Sequence, residues 1–516
     1  MLTQRRNLLL ILTVLFLAFR AVSAQQDLPG KVFNVMDYGA VPDGTSLCTE
    51  AIQRAVDAAF DSGGGQVILP EGIFLSGSII LKSNVSLFID QQATLLGSTD
   101  PFQYKGFNNW KALVLADNAS HISILGQGII DGQGRQLALN VDSLHHIGEV
   151  IDPNYNYRRM RPNEGQRPQL IYMMQCEKVK VEGVTLRNSS CWVQTYEQCA
   201  DLELDRITVL SRAYWNNDGM DVVDCRNVRI TRCDVNSADD GICLKSHSAS
   251  HLCEDIYIAD CTVRSSASGL KFGTASYGGF KNVVIENIRM FDTFRSAIAI
   301  ESVDGGIIEN ISVSDIVAVN TGNAIFIRLG HRSGEKPGSV KDISISNMYV
   351  QVPFGRPDLG YDMRGPEVDF FHNPFPASIA GIPGHEVENV KIEGVEISYP
   401  GRASRGMAYL PLSRLNQVPE QEGNYPEFSM FGELPAWGLY VRHARNIELD
   451  QVAFRLEESD FRPAFVYDDV TGLVMKNIDL PAGKTHQIVF RSVTEAALDE
   501  TASGQVKTVI DPGESE

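Results

Sequence analysis

The chain has 516 residues, 43% of them hydrophobic and 21% charged, with a formal net charge of -19. That composition supplies a large core and excludes a disordered or fibrous chain. The negative balance makes nucleic acid and anionic membrane surfaces poor partners, and a polyanionic ligand would need a local basic patch.

Residues 1–24 place Arg5 and Arg6 before an apolar run from Leu8 to Phe19, with Val22-Ser23-Ala24 ahead of Gln25. This is the layout of a secretory signal with a small-residue cleavage site. A membrane anchor is the competing reading, but the run falls well short of the ~20 residues a span needs. No cysteine follows the cleavage site and no later segment is long and apolar enough to span. The expectation is a secreted or periplasmic protein with no membrane span. Its mature part reads as one domain over 25–498 with a flexible acidic tail over 499–516.

After Asp37-Tyr38-Gly39-Ala40 and a turn at Pro42-Asp43-Gly44, a helix is predicted from Thr49 to Phe60. Its apolar positions Ile52, Ala55, Val56, Ala59 and Phe60 recur at helical spacing, and Gly63-Gly64-Gly65 stops it. Short strands follow at Gln66–Leu69, Ile79–Leu81 and Val85–Ile89, and no second helix of comparable clarity is evident. From there a pattern recurs: aliphatic, two mostly polar or small residues, apolar. It occurs at Val181, Leu204, Ile230, Ile258, Ile285, Ile308, Ile345, Ile392, Leu449 and Met475, in steps of 23 to 28 residues as far as Ile308 and mostly longer ones after it. Such a period built from short strands and polar turns predicts an all-β fold, a parallel β-helix. The longer late steps mean insertions, which contain the aromatic clusters Phe370–Phe375 and Pro426–Trp437. These loops either bind a ligand or cover the flank of the coil.

Successive coils lie ~4.8 Å apart, so residues at the same place in successive repeats touch. Nine cysteines are present. Cys176, Cys199, Cys225 and Cys253, then Phe280, share one column, and Cys233 and Cys261 share another. A packed ladder of small apolar side chains is favoured over disulfides or a metal site.

A second strand stacks as Met220, Ile242, Leu270, Ile298 and Ile325, its first and third positions facing inward and its second and fourth facing solvent. Two residues before it the column reads Asp218, Asp240, Ser268, Ser296, Asn323; one earlier it reads Asn217, Asp239, Ala267, Arg295, Gly322. Asp218, Asp239 and Asp240 thus converge, and Lys245, Lys271, Arg295, Glu301 and Arg328 surround them. Carboxylates at this spacing push one another's pKa apart, so that one is a protonated acid while another is an ionised base. That pairing serves glycosidic cleavage, in which inversion needs ~6.5–9.5 Å between acid and base and retention ~5–5.5 Å. Asp-Asp-Gly is also a common turn, and clustered Asp also holds calcium.

Asn216-Asn217-Asp218-Gly219-Met220-Asp221 followed by Ala238-Asp239-Asp240-Gly241-Ile242-Cys243-Leu244-Lys245-Ser246 resembles the paired signatures of glycoside hydrolase family 28, the polygalacturonase family. Gly126–Gly134 and the opening segment around Asp37-Tyr38-Gly39-Ala40 are similar to the family's first coils. The resemblance implies a right-handed, pectin-lyase-like β-helix with an N-terminal helical cap, and hydrolysis with inversion. It implies Asp239 as general acid, Asp218 and Asp240 as the groups that activate water, and no metal or cofactor. The chain departs from the family where Gly-His-Gly becomes Ala267-Ser268-Gly269, and where Arg-Ile-Lys becomes Ala299-Ile300-Glu301. Lys271 and Arg295 are therefore expected to supply replacement cations, with Asn216, Lys245, Glu301 and Arg328 as further substrate contacts. The expected partner is a pectic or otherwise acidic plant or algal polysaccharide, with Trp192, Tyr214, Trp215 and Trp437 available to stack on sugars. A polysaccharide lyase and a non-catalytic carbohydrate-binding coil are the alternatives.

Overall fold

The computed structural model describes residues 31–361, 374–406, 410–482 and 487–509. The expected signal segment, the Phe370–Asn373 part of the first aromatic cluster and the last residues of the tail lie outside them. Most coils contribute three strands to three parallel ladders. Val181–Leu204–Ile230 mark the first ladder, Leu186–Val209–Val235 the second and Tyr196–Val222–Leu244 the third. Inward aliphatics from every coil merge into one continuous core. The third ladder runs through β1 (Met220–Val223), β2 (Ile242–Ser246), β3 (Leu270–Ser276), β4 (Gly279–Ser302) and β5 (Ile307–Leu329).

Helix α1 (Thr49–Asp61) buries Ala51, Ile52, Ala55, Val56 and Ala59 against the first coils, as the periodicity predicts. Phe60 departs from that face: it is 42% exposed, with Lys82 Nζ 5.2 Å above its ring. A second helix, α2 (Gly134–His146), was not expected from the sequence. Its N-cap is Gln133 in the left-handed region with no side-chain cap, and its buried stripe is only Gly134, Leu137, Ala138 and Val141, so neither capping nor periodicity signals it. It opens an insertion that ends at the next third-ladder strand, Gln169–Met174.

The recurrent polar position of the repeat is a left-handed corner. Asp260, Asn287, Asp315, Asn347 and Asn477 have φ between 50° and 58°, a region that Asn and Asp tolerate better than other side-chain-bearing residues. A second column of the same kind links Asn282 Nδ2 to Asp255 Oδ1 at 2.9 Å and Asn310 Nδ2 to Asn282 Oδ1 at 2.8 Å. This corrects one sequence alignment: Ile285 pairs with Val313, and Ile308 pairs with Phe280. Both corners take an Asn or Asp between core aliphatics, so Ile308-Glu309-Asn310-Ile311 mimics the repeat one corner early.

All nine cysteines are buried and unpaired, with Sγ atoms directed mainly to carbonyls of their own and adjacent coils, in keeping with the packed column. The C-terminal insertion packs Leu415, Val418, Phe428, Phe431 and Leu434 onto Ala299, Phe326, Tyr440 and Val466 on the outer face of the third ladder. Residues 499–509, expected in a flexible tail, carry a helical turn, Glu500–Ser503, capped by Asp499, and a strand, Val506–Thr508, paired with the last coil. Among the described residues no helix is long and apolar enough to cross a membrane.

Candidate active site

The site sits where the second ladder turns into the third. Asp218 precedes Gly219 at the head of β1, and Asp239-Asp240 precede Gly241 at the head of β2. The glycines are required by close approach: a Cβ on Gly219 would lie 2.6 Å from Gly241 O, and one on Gly241 2.7 Å from Gly269 O. Gly219 N donates to Asp240 O at 2.8 Å and Gly241 N to Ser268 O at 2.8 Å. These bonds stack Asp218, Asp240 and Ser268 in one column. Asn217 holds the preceding loop, accepting from Ser211 Oγ and Ala213 N and donating to Ser189 O and Cys191 O.

Carboxylate oxygens of Asp218 and Asp240 come within 4.8 Å of each other and of Cys243 Sγ. Lys245 Nζ donates to Asp218 Oδ2 at 2.9 Å and also to Asp221. Lys271 Nζ donates to Asp240 Oδ2 at 3.0 Å and to Tyr425 Oη at 3.1 Å, and Ser268 N donates to Asp240 Oδ1 at 3.0 Å. Asp239 is the most exposed of the three carboxylates.

Their environments separate them. Burial raises Asp239, and the charges of Asp218 and Asp240 push it further, up to about 7. Burial alone would raise Asp240 too, but Lys271 and Arg295 hold it below the usual carboxylate range. Asp218 is raised by burial, an effect that Lys245 opposes. One proton donor and one ionised carboxylate therefore coexist near neutral pH.

Among the remaining expected residues, Arg295 Nη2 lies 3.6 Å from Glu427 Oε2, and its guanidinium is 5.9 Å from the Tyr425 ring centroid. Glu301 accepts from Thr274 Oγ1 at 3.5 Å and is pushed by burial to about 7. Asn216 Oδ1 accepts from Arg167 Nη2 at 2.8 Å. Arg328 is not brought into the cluster. It donates to Gly381 O at 2.8 Å and Glu420 O at 2.7 Å, fastening the C-terminal insertion.

The outward positions do not face solvent as alternation predicted. Asp221, Lys271, Glu301 and Arg328 are all at most 3% exposed, because the insertions roof this wall. Trp437 is likewise a core residue at 1% exposure, and Tyr214 is buried, whereas Trp192 and Trp215 remain half-exposed. Three participants went unrecognised in the sequence. Asp221 pairs with Lys245, and its alternating position disguised it as a solvent residue; Tyr425 and Glu427 arrive on a distant loop that no local pattern connects to the site.

A parallel β-helix whose wall carries a split set of carboxylates beside lysines has the build of a polysaccharide-processing coil. The chain belongs to glycosyl hydrolases family 28, whose model matches residues 62–352. A "Probable polygalacturonase" of Vitis vinifera is 28% identical over 62% of this chain, and the match spans 60% of that relative's length. The exopolygalacturonase of Thermotoga maritima superposes with a TM-score of 0.57 at 25% identity, covering 72% of this chain and 87% of its own. A family 28 exopolygalacturonase of Yersinia enterocolitica gives a TM-score of 0.59 at 16% identity, covering 90% and 78%, and supports the fold alone.

Proposed function

We propose that this protein hydrolyses glycosidic bonds of a galacturonate-containing polysaccharide with inversion at the anomeric carbon. The carrying observation is the separation of Asp239, lifted to about 7, from Asp240, held low by Lys271 and Arg295. In this reading Asp239 protonates the leaving oxygen. Asp218 and Asp240, with oxygens within 4.8 Å of each other, share the water that attacks from the opposite face. Lys245 fixes Asp218 and Lys271 fixes Asp240, while Lys271 and Arg295 replace the family's Arg-Ile-Lys as cations facing a sugar carboxylate. Asn216 and Glu301 border the bound sugar.

Acid–base chemistry is favoured over a calcium site by the donor set. Asp218 and Asp240 are each already bonded to an ammonium, and Cys243 is a thiol that burial holds well above its usual pKa, a poor ligand for a hard cation. The same reading takes the coil as right-handed with α1 as its N-terminal cap, residues 1–24 as an export signal, and the mature protein as secreted or periplasmic.

The test is reducing-end release from polygalacturonate, its carboxyl-reduced form and neutral polysaccharides. The proposal expects cleavage of the acidic polymer without products absorbing in the near ultraviolet. Unsaturated products would make the enzyme a lyase, and binding without turnover would leave a carbohydrate-binding coil.

A further inference from the structure

The insertion opened by α2 returns over the site as a short hairpin. Asn156 N donates to Arg161 O at 3.0 Å, and Arg161 N donates back to Asn156 O at 3.2 Å. Asp152 pins the base, accepting from Asn154 N at 3.1 Å and Asn163 N at 2.6 Å. The hairpin and the turn that follows it, Glu164–Gln166, bring three guanidiniums together. Arg159 and Arg161 lie over the Trp215 ring at 5.7 and 5.1 Å, and Trp215 is one residue from Asn216 in the coil that precedes Asp239.

Their charges are not balanced locally. Arg167 is 0% exposed, and it donates only to neutral acceptors: Pro162 O, Ser190 O, Trp215 O and Asn216 Oδ1, at 2.6 to 3.1 Å. Among the described residues it has no carboxylate partner, although a buried cation is costly without one. Neither Arg159 nor Arg161 makes a side-chain hydrogen bond or ion pair there. Arg161 is partly desolvated and repelled by both other arginines, while Glu164 and Asp239 attract it only from a distance. Three arginines, one of them fully buried, thus meet within electrostatic reach of the proposed general acid, and among the described residues no carboxylate is bonded to any of them.

We infer that Arg159, Arg161 and Arg167, with Trp215 as their floor, form a second anion subsite that takes a sugar carboxylate. It lies on the side of Asp239 away from Lys271 and Arg295. The inference rests on the hydrolase reading above and adds to it that acidic residues are recognised on both sides of the cleaved bond. Arg161 is the contact residue: its guanidinium is half-exposed, planar and suited to bidentate carboxylate binding. Arg167 is a positioning residue that holds Trp215 and Asn216. The hairpin also supplies the basic patch that a chain of net charge -19 needs to accept a polyanion.

The experiment compares oligogalacturonate with its carboxyl-reduced counterpart for wild type, Arg161→Ala, Arg161→Lys and Arg159→Ala, measuring kcat/KM and, by calorimetry, Kd. Losing a charge-assisted contact lowers kcat/KM on the acidic oligomer by about 10- to 100-fold in Arg161→Ala, with a much smaller change on the reduced one. Arg161→Lys recovers part of the loss, and raised salt narrows the difference. Equal losses on both oligomers, or none on either, overturn the subsite while leaving the hydrolase reading intact. A wild-type protein that neither cleaves nor binds the acidic oligomer in preference to the reduced one overturns both.

Discussion

At the residue scale the proposed chemistry rests on unequal carboxylates. If Asp239 donates the proton, kcat falls as pH rises above about 7, and Asp239→Asn lowers kcat by about 100- to 10,000-fold while leaving oligosaccharide binding in place. In the same reading the acid limb belongs to Asp240, held down chiefly by Lys271. Lys271→Met removes that cation and moves the acid limb to higher pH in the same kinetic profile. Glu301 gives a stability test with the opposite sign from an ordinary paired carboxylate. Its folded pKa of about 7 lies above the unfolded value, so the native state binds the extra proton and stability declines as pH rises from the unfolded value toward 7. Glu301→Gln is therefore neutral in acid and stabilising by about 1–3 kcal/mol above pH 7, read from urea denaturation at two pH values. The Asp218–Asp240 column was legible in the sequence because strand alternation and coil stacking convert spacing into contact. The Lys245–Asp221 pair was not, since alternation distinguishes inward from outward and says nothing of what covers the outside.

At the scale of elements, left-handed corners carry the coil from one ladder to the next. Asn310 has φ 60° and donates to Asn282 in the neighbouring coil at 2.8 Å. Asn310→Ala forces a Cβ-bearing residue without a compensating side chain into that corner, costing about 1–2 kcal/mol, and Asn310→Gly costs less. Chemical denaturation of the two variants checks the order; equal costs would show that the side-chain ladder, and not the backbone geometry, carries the effect. The helix α1 was legible from a clean apolar stripe, whereas α2 has neither a cap nor a stripe of that strength.

At the scale of the whole molecule, the coil is built on one continuous core, and in the proposed reading the insertions supply groups that face the substrate. Repeats announced the coil because every turn must bury the same inward positions. The roof was not legible, because Tyr425, Glu427 and the Arg159–Arg167 hairpin reach the site across long sequence separations with no shared period. The nine unpaired thiols predict that alkylation without reductant labels none in the native protein and all nine after unfolding. Partial labelling after unfolding would indicate disulfides instead of a packed column. The central claim is that Asp239 works with Asp218 and Asp240 across a water, without a covalent intermediate. The most direct measurement is proton NMR of the first product formed from oligogalacturonate, read before mutarotation. Inverted anomeric configuration is the predicted result, and retention would contradict the account.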